Sequence, residues 1–181
     1  VRNWGTLAGS LAHADPAADY GPAALAFEAR LQVQGPSGER TLAAKDLFAG
    51  LLQTSLAADE IITSVRFPAA DGVASAYEKF AQPASGFAIV GIMAVIGKDA
   101  EGNCRAARVA ATGIGDRPRR LSSLEAALAG GALDEATVAE ACQQADNDLE
   151  QVREDLYAQA DYRRHLIREF CRRAIRRAAA S

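Results

Sequence analysis

Thr6-Leu-Ala-Gly-Ser-Leu-Ala-His-Ala-Asp-Pro-Ala-Ala-Asp19 packs small residues and short polar side chains at a density that core packing does not require. The stretch reads as a ligand-wrapping loop. Gly9 has no Cβ and lets the backbone approach a ligand closely, Thr6 and Ser10 supply hydroxyls, and successive N–H groups there can point at an anion. Pro16 presets φ for the start of a helical turn, which is expected to put His13 to Asp15 near a helix N-terminus and its partial positive charge. That arrangement suits a phosphate. A Gly/Ser-rich turn ahead of a capped helix is also ordinary connection chemistry, and on these residues alone both readings stand.

Outward from this stretch the chain divides into two units. Pro16 to Tyr20 is helix-like, and Gly21-Pro22 is expected to end that turn before an extended segment. Leu31 and Val33 alternate with polar neighbours over Arg30 to Gln34. Gly35-Pro-Ser-Gly38 then turns the chain towards Glu39 to Leu42, a hairpin signal. Ala44 to Phe48 has the length of one short helix, and Glu60 to Phe67 alternates as a strand until Pro68 closes it. Ala69 to Val73 punctuates the chain and is taken as the boundary. Beyond it Ser75 to Phe80 reads as a strand followed by a glycine-bearing crossover. Phe87 to Ile96 and Arg105 to Thr112 form an antiparallel hairpin across the turn Asp99 to Asn103. Gly113 to Pro118 breaks the sheet, and Ser122 to Leu128, Asp134 to Gln151 and Asp161 to Ala178 read as helices. The fold class is α+β, its second unit a small antiparallel sheet with helices on one face.

Composition bounds the function classes. The 181 residues carry a formal net charge of −3 and are 49% hydrophobic, so a core can form and no bias towards polyanions exists across the whole chain. No long uninterrupted apolar run suggests a membrane span, and no secretion signal is legible at the N-terminus, which makes the cytoplasm the default location. The absence of an initiator Met at Val1 suggests that an N-terminal part is missing. Cys104, Cys142 and Cys171 are far apart with no local His partner, so they read as reduced, buried thiols rather than as cluster or metal ligands. His13 and His165 are too isolated for a triad or a metal site. Redox chemistry would have to come from a cofactor.

Two motifs invite sharper readings. The last helix carries Arg163, Arg164, Arg168, Arg172, Arg173, Arg176 and Arg177. Leu166, Ile167, Phe170, Cys171, Ala174, Ile175 and Ala178 recur at three- and four-residue spacing and define a buried stripe, which leaves the arginines a solvated face. An amphipathic helix, compatible with docking to another subunit, is preferred to a nucleic-acid patch. Gly113-Ile-Gly115 lacks the third glycine and trailing Lys-Ser/Thr of phosphate-loop fingerprints and reads as a sheet-to-helix turn.

Thr6 to Ser10 followed by Ala14 to Asp19 resembles the second flavin-binding loop in the FAD-carrying medium subunit of molybdenum hydroxylases, the family of aerobic carbon monoxide dehydrogenase and bacterial xanthine dehydrogenase. The similarity continues through Asp59-Glu60-Ile61-Ile62, Ala76-Tyr77-Glu78-Lys79-Phe80 and Asp161-Tyr162-Arg163-Arg164-His165-Leu166. The resemblance implies that residues 1–70 are the second subdomain of a two-subdomain FAD-binding domain and that 74–181 are the medium subunit's C-terminal domain. It implies FAD as cofactor, with Thr6, Leu7, Ala8, Gly9 and Ser10 wrapping the pyrophosphate and ribityl region and His13 and Asp15 beside them. Asp19 would meet ribityl hydroxyls, the backbone at Ile62 the isoalloxazine edge, and Tyr77 and Lys79 the surroundings of the ring. It implies as partners an iron–sulfur small subunit and a molybdenum large subunit, from which electrons would pass through FAD to an external acceptor.

One departure accompanies the resemblance: Ala8 stands where the family loop usually has a first glycine. The family's other, glycine-rich flavin loop lies in an N-terminal subdomain outside these residues. The expected function is therefore an electron-transfer flavoprotein subunit, inactive as this piece alone, and the alternative is a structural docking module that does not hold FAD by itself.

Overall fold

The structure, a computed structural model, describes residues 3–69 and 71–181; Val1, Arg2 and position 70, inside the expected boundary stretch, lie outside them. Leu7–His13 form helix α1, with Thr6 as N-cap: its Oγ1 accepts the Gly9 N–H at 2.9 Å. A Cβ on Gly9 would lie 2.8 Å from that oxygen, so the glycine is required by the cap. The expected loop is thus helical over Leu7 to Ser10. His13 falls in the last turn of α1, not near a helix N-terminus, and Ala14 ends the helix in the left-handed conformation at φ 54°.

Asp15 then folds the next turn locally, its Oδ1 accepting the Ala17 N–H at 2.8 Å. Helix α2 is Tyr20–Ala26, so Gly21-Pro22 opens a helix where the sequence suggested an end. Proline is tolerated there because first-turn N–H groups have no intrahelical acceptor. Gly21 is bare for a packing reason, since a Cβ would lie 2.8 Å from Pro118.

Strands β1 (Arg30–Gly35) and β2 (Gly38–Ala43) pair antiparallel across a two-residue turn, as the sequence suggested, and β5 (Ile61–Arg66) joins the other edge of β1. Between them Ala44–Asp46 is only a single 3-10 turn, because Phe48 turns away into the two-stranded pair β3 (Phe48–Gly50) and β4 (Gln53–Thr54). Glu60 anchors the entry to β5. Its carboxylate accepts from Arg40 at 2.6 and 2.7 Å and from the Ala57 N–H at 2.8 Å, and those bonds, Arg40's first, hold its pKa down at about 2.

The second sheet has the order β6-β7-β8-β9, from β6 (Val73–Ala81), β7 (Ala88–Lys98), β8 (Cys104–Thr112) and β9 (Arg119–Arg120), all antiparallel. The expected crossover after β6 is a hairpin. Gln82 and Phe87 close it through Gln82 N–H to Phe87 C=O at 2.8 Å, too short a connection for a parallel return. Helices α3 (Ser122–Leu128), α4 (Glu135–Ala141) and α5 (Ala160–Ala179) cover one face.

The other face is not open to solvent. Ile92, Ala94 and Ile96 of β7 pack into the helical layer, while Met93 and Val95 pack with Leu31 and Val33 of β1 and with α2. Strand β7 is therefore a wall shared by two cores, which explains its nearly unbroken apolar run. The helix expected over Asp134 to Gln151 stops at Ala141 and gives way to a 3-10 turn, Cys142–Gln144. Its remainder is irregular. Asp146 accepts from Arg164 and Arg168, and Asp148 accepts from the Ser123 N–H and hydroxyl, contacts to other elements that compete with helix continuation.

Arg163 corrects the reading of α5 as a helix with all its arginines solvated. Its side chain is 2% exposed. The guanidinium donates to the carbonyls of Ile89 and, at 2.8 Å, Gly113, and to Asp155 Oδ2 at 2.6 Å. Burial lowers its pKa, and the neighbouring Asp155 carboxylate opposes that shift. Arg163→Met should destabilise the fold by about 3 kcal/mol, because it leaves two carbonyls and a carboxylate without their donor. A lower urea midpoint at unchanged slope is the expected measurement.

Candidate cofactor-binding site

Asp19 sits at the N-cap of α2, yet its carboxylate makes no capping bond. It points instead to β6: Tyr77 Oη donates to Oδ1 at 2.6 Å and Lys79 Nζ to Oδ2 at 2.8 Å. Tyr77 and Lys79 share a strand face because they are two residues apart. Lys79 also donates to the Gly86 carbonyl at 2.9 Å, which ties the β6–β7 hairpin loop to the same carboxylate.

Two residues that the sequence reading did not select make the cluster possible. Gly91 stands opposite Lys79 on β7, and a Cβ there would collide with the Tyr77 hydroxyl and come within 2.9 Å of the Thr112 methyl. Thr112 turns its hydroxyl to the incoming loop and donates to Pro16 C=O at 2.7 Å and Ala18 C=O at 3.2 Å. The Gly113 N–H adds a second bond to Pro16 C=O at 2.7 Å, and the Ala88 N–H meets Ala17 C=O at 3.3 Å. The loop that delivers Asp19 is thus seated on the ends of β7 and β8. A lone glycine interrupting the apolar run Ala88 to Ile96 was the legible sign of such close approach.

The electrostatics fix who donates. Burial, and then the bond to the Asp19 carboxylate, push the Tyr77 phenol far above its ordinary pKa, so it stays a neutral donor. The Asp19 side chain remains 43% exposed, leaving acceptor capacity towards solvent. Cys142 is pushed up to about 12 and Cys171 well above the thiol range, in both cases by burial, so neither offers a thiolate. Among the described residues no group of His, Cys, Asp and Glu is placed to hold a metal ion, and no helix is long and apolar enough to cross a membrane.

Of the residues selected from sequence, Asp19, Tyr77 and Lys79 are brought into direct contact. Thr6, Leu7, Ala8, Gly9 and Ser10 form the cap and first turn of α1, and Ile62 lies half-buried on β5, against which α1 packs. Asp15 braces the loop from within, whereas exposed His13 makes no hydrogen bond to the Asp19 cluster. Gly113-Ile-Gly115 is the expected structural turn. Gly113 has φ +77°, and any Cβ would meet the Ala88 and Ile89 carbonyls at 2.6 and 2.5 Å.

In sequence and fold the chain is similar to the medium subunits of molybdenum hydroxylases. Residues 1–70 match the FAD binding domain in molybdopterin dehydrogenase, and residues 75–178 match the CO dehydrogenase flavoprotein C-terminal domain. The chain belongs to the CO dehydrogenase flavoprotein family. It is 35% identical over 180 residues to the nicotine 6-hydroxylase medium subunit of Paenarthrobacter nicotinovorans, covering 99% of this chain and 62% of that protein. It is 33% identical to the carbon monoxide dehydrogenase medium chain of Hydrogenophaga pseudoflava, again with 99% and 62% covered. The solved carbon monoxide dehydrogenase of the latter organism superposes with a TM-score of 0.92 at 33% identity, over 99% of this chain and 62% of that one. Quinoline 2-oxidoreductase from Pseudomonas putida 86 gives 0.89 at 30%, with the same coverage. The chain therefore spans about three fifths of the length of these relatives.

Gly91→Ala is expected to force Tyr77 off Asp19 and to cost about 1–3 kcal/mol by overpacking. Loss of the Tyr77 hydroxyl proton's protection from exchange, together with a lower urea midpoint, would record it; an unchanged hydroxyl signal would contradict this geometry.

Proposed function

We propose that this chain is part of the FAD-binding electron-transfer subunit of a molybdenum hydroxylase, residues 1–70 forming the second subdomain of the flavin domain and 74–181 the C-terminal domain. The observation that carries the reading is the Asp19–Tyr77–Lys79 cluster. Its partly exposed carboxylate, oriented by two donors, suits the hydroxyls of a polyol such as ribityl. The first turn of α1 fits the same cofactor. Thr6 and Ser10 bring hydroxyls, and the Leu7 and Ala8 N–H groups, in the first turn, have no intrahelical acceptor, a setting suited to pyrophosphate. Ala8 is compatible with that role because a helical backbone there does not demand glycine.

In this reading Thr6 to Ser10 hold the pyrophosphate and ribityl region, with His13 and Asp15 flanking them. The Ile62 backbone meets the isoalloxazine edge, and Tyr77 and Lys79 bind beside the ring while fixing the orientation of the Asp19 carboxylate. FAD bound there supplies a centre that can take electrons singly and release them in pairs. In this reading the three separate, buried thiols of the piece take no part in electron transfer, and the electron donor is another polypeptide. An iron–sulfur small subunit and a molybdenum large subunit are the partners, an external acceptor receives the electrons, and the complex is cytoplasmic.

The full-length protein should purify yellow with non-covalent FAD, and this piece should bind it poorly. Asp19→Ala should weaken FAD binding roughly ten- to a hundredfold, the worth of hydrogen bonds to a charged group, and Gly9→Val should do so by breaking the Thr6 cap. Flavin absorbance after gel filtration and co-elution with cluster- and molybdenum-bearing subunits are the measurements. A colourless full-length protein that still co-elutes with them would leave only the docking module.

A further inference from the structure

A cleft of about 640 Å³ opens at the end of α2 remote from Asp19, a volume in the range of small-ligand sites. Arg30 of β1, Lys45 of the 3-10 turn and Arg120 of β9 line it, with Glu28 as the single carboxylate among the lining residues. Arg66 stands directly across the β1–β5 ladder from Arg30, so two arginines share one sheet face, a like-charge pairing that destabilises a sheet unless an anion intervenes. Among the described residues, none of Arg30, Lys45 and Arg66 pairs with a carboxylate.

Glu28 is a poor internal counter-ion. It reaches Arg108 and Arg120 only at 3.5 Å each, it is 59% exposed, and its backbone is held at φ +53°, a region that ordinary side chains avoid. Arg120, by contrast, is held firmly: Glu125 takes two bonds at 2.6 and 2.8 Å, and a third reaches Leu25 C=O at 3.4 Å. Burial works against its charge, but the Glu125 and Glu28 carboxylates outweigh burial, raise its pKa and keep the guanidinium charged at the cleft wall.

We propose that this cleft binds a multiply charged phosphate group, with Arg30 and Lys45 as its counter-ions, Arg120 Nη1 as a further donor and Glu28 as the internal anion that it displaces. The flavin reading does not use these residues. Several cations lining a concavity suit a compact polyanion, for which Arg offers planar donors and Lys a mobile point charge. Because the cations come from both units, the bound anion also ties the first unit to the β9–α3 corner, and it should stabilise the fold by mass action.

Inorganic pyrophosphate, titrated into the protein at constant ionic strength and followed by calorimetry and thermal unfolding, tests the site. The expected result is a saturable rise in Tm. Glu28→Gln should tighten binding roughly two- to fivefold, and Arg30→Gln and Lys45→Gln should each weaken it by about as much, the worth of one half-exposed charge pair. Flavin content should not change. Lys45 is exposed and outside the cores, so Lys45→Gln keeps the test alive if Arg30→Gln folds poorly. Pyrophosphate heat that never saturates, or equal affinity in all three variants, would overturn the proposal. So would binding of an acidic peptide, with this dependence on Arg30 and Lys45, by a protein that ignores pyrophosphate.

Discussion

The buried guanidinium of Arg163 joins three parts of the chain that share no sequence neighbourhood. From α5 it reaches the Ile89 carbonyl at the start of β7, the Gly113 carbonyl just beyond β8, and Asp155 in the irregular segment that leads into α5. Gly113 in turn gives its N–H to Pro16, beside the Thr112 hydroxyl on the same carbonyl. The loop presenting Asp19 thus rests on a sheet edge whose carbonyls are held from the other side by α5. A charge removed from water is costly unless its donors are used, and here the surrounding carbonyls and carboxylate use two of its three nitrogens, leaving Nε without a partner.

That constraint passes through β7, whose two faces serve different cores. Its side towards the helices carries Ile92, Ala94 and Ile96, and its side towards α2 carries Met93 and Val95. The glycine at position 91 sits on this second side, where space is needed for a tyrosine hydroxyl rather than for another apolar contact. The sheet therefore does more than support a helical layer: it sets the distance between Asp19 and its two donors.

Much of this was legible in the sequence where periodicity was regular. The β1–β2 hairpin has its turn residues at the expected positions, α3 falls on Ser122–Leu128, and the apolar stripe of α5 is the buried one. The failures share a cause. Helix α1 was hidden because Gly9 and Ser10 look like loop residues, although a Thr6 cap and a short helix accommodate both. Proline 22 looked like a stop because only the position of the helix start decides whether a proline opens or breaks a turn. Arg163 looked solvated because spacing places it near the edge of the polar face, and only tertiary contacts to carbonyls from β7 and β8 bury it. Within the site, Asp19, Tyr77 and Lys79 were reached through resemblance, whereas their assembly depended on Gly91 and Thr112, residues whose importance arises from what lies across the sheet.

Helix α2 links the Asp19 cluster and the basic cleft, and its polarity suits both. Its N-terminal end carries Asp19, where a carboxylate is favoured by the partial positive charge of the first turn, and its C-terminal end faces Arg120, which donates to the Leu25 carbonyl. Seven residues span only about 10 Å, so the paired Asp19 carboxylate and the basic cleft are held a fixed, short distance apart by one rigid element. Gly21 and Ala24 keep that element close to Pro118 and the sheet, so neither end can shift without disturbing the shared core. Changes in the packing of α2 should therefore be felt at both ends together, whereas substitutions of exposed charges in the cleft act on one end alone.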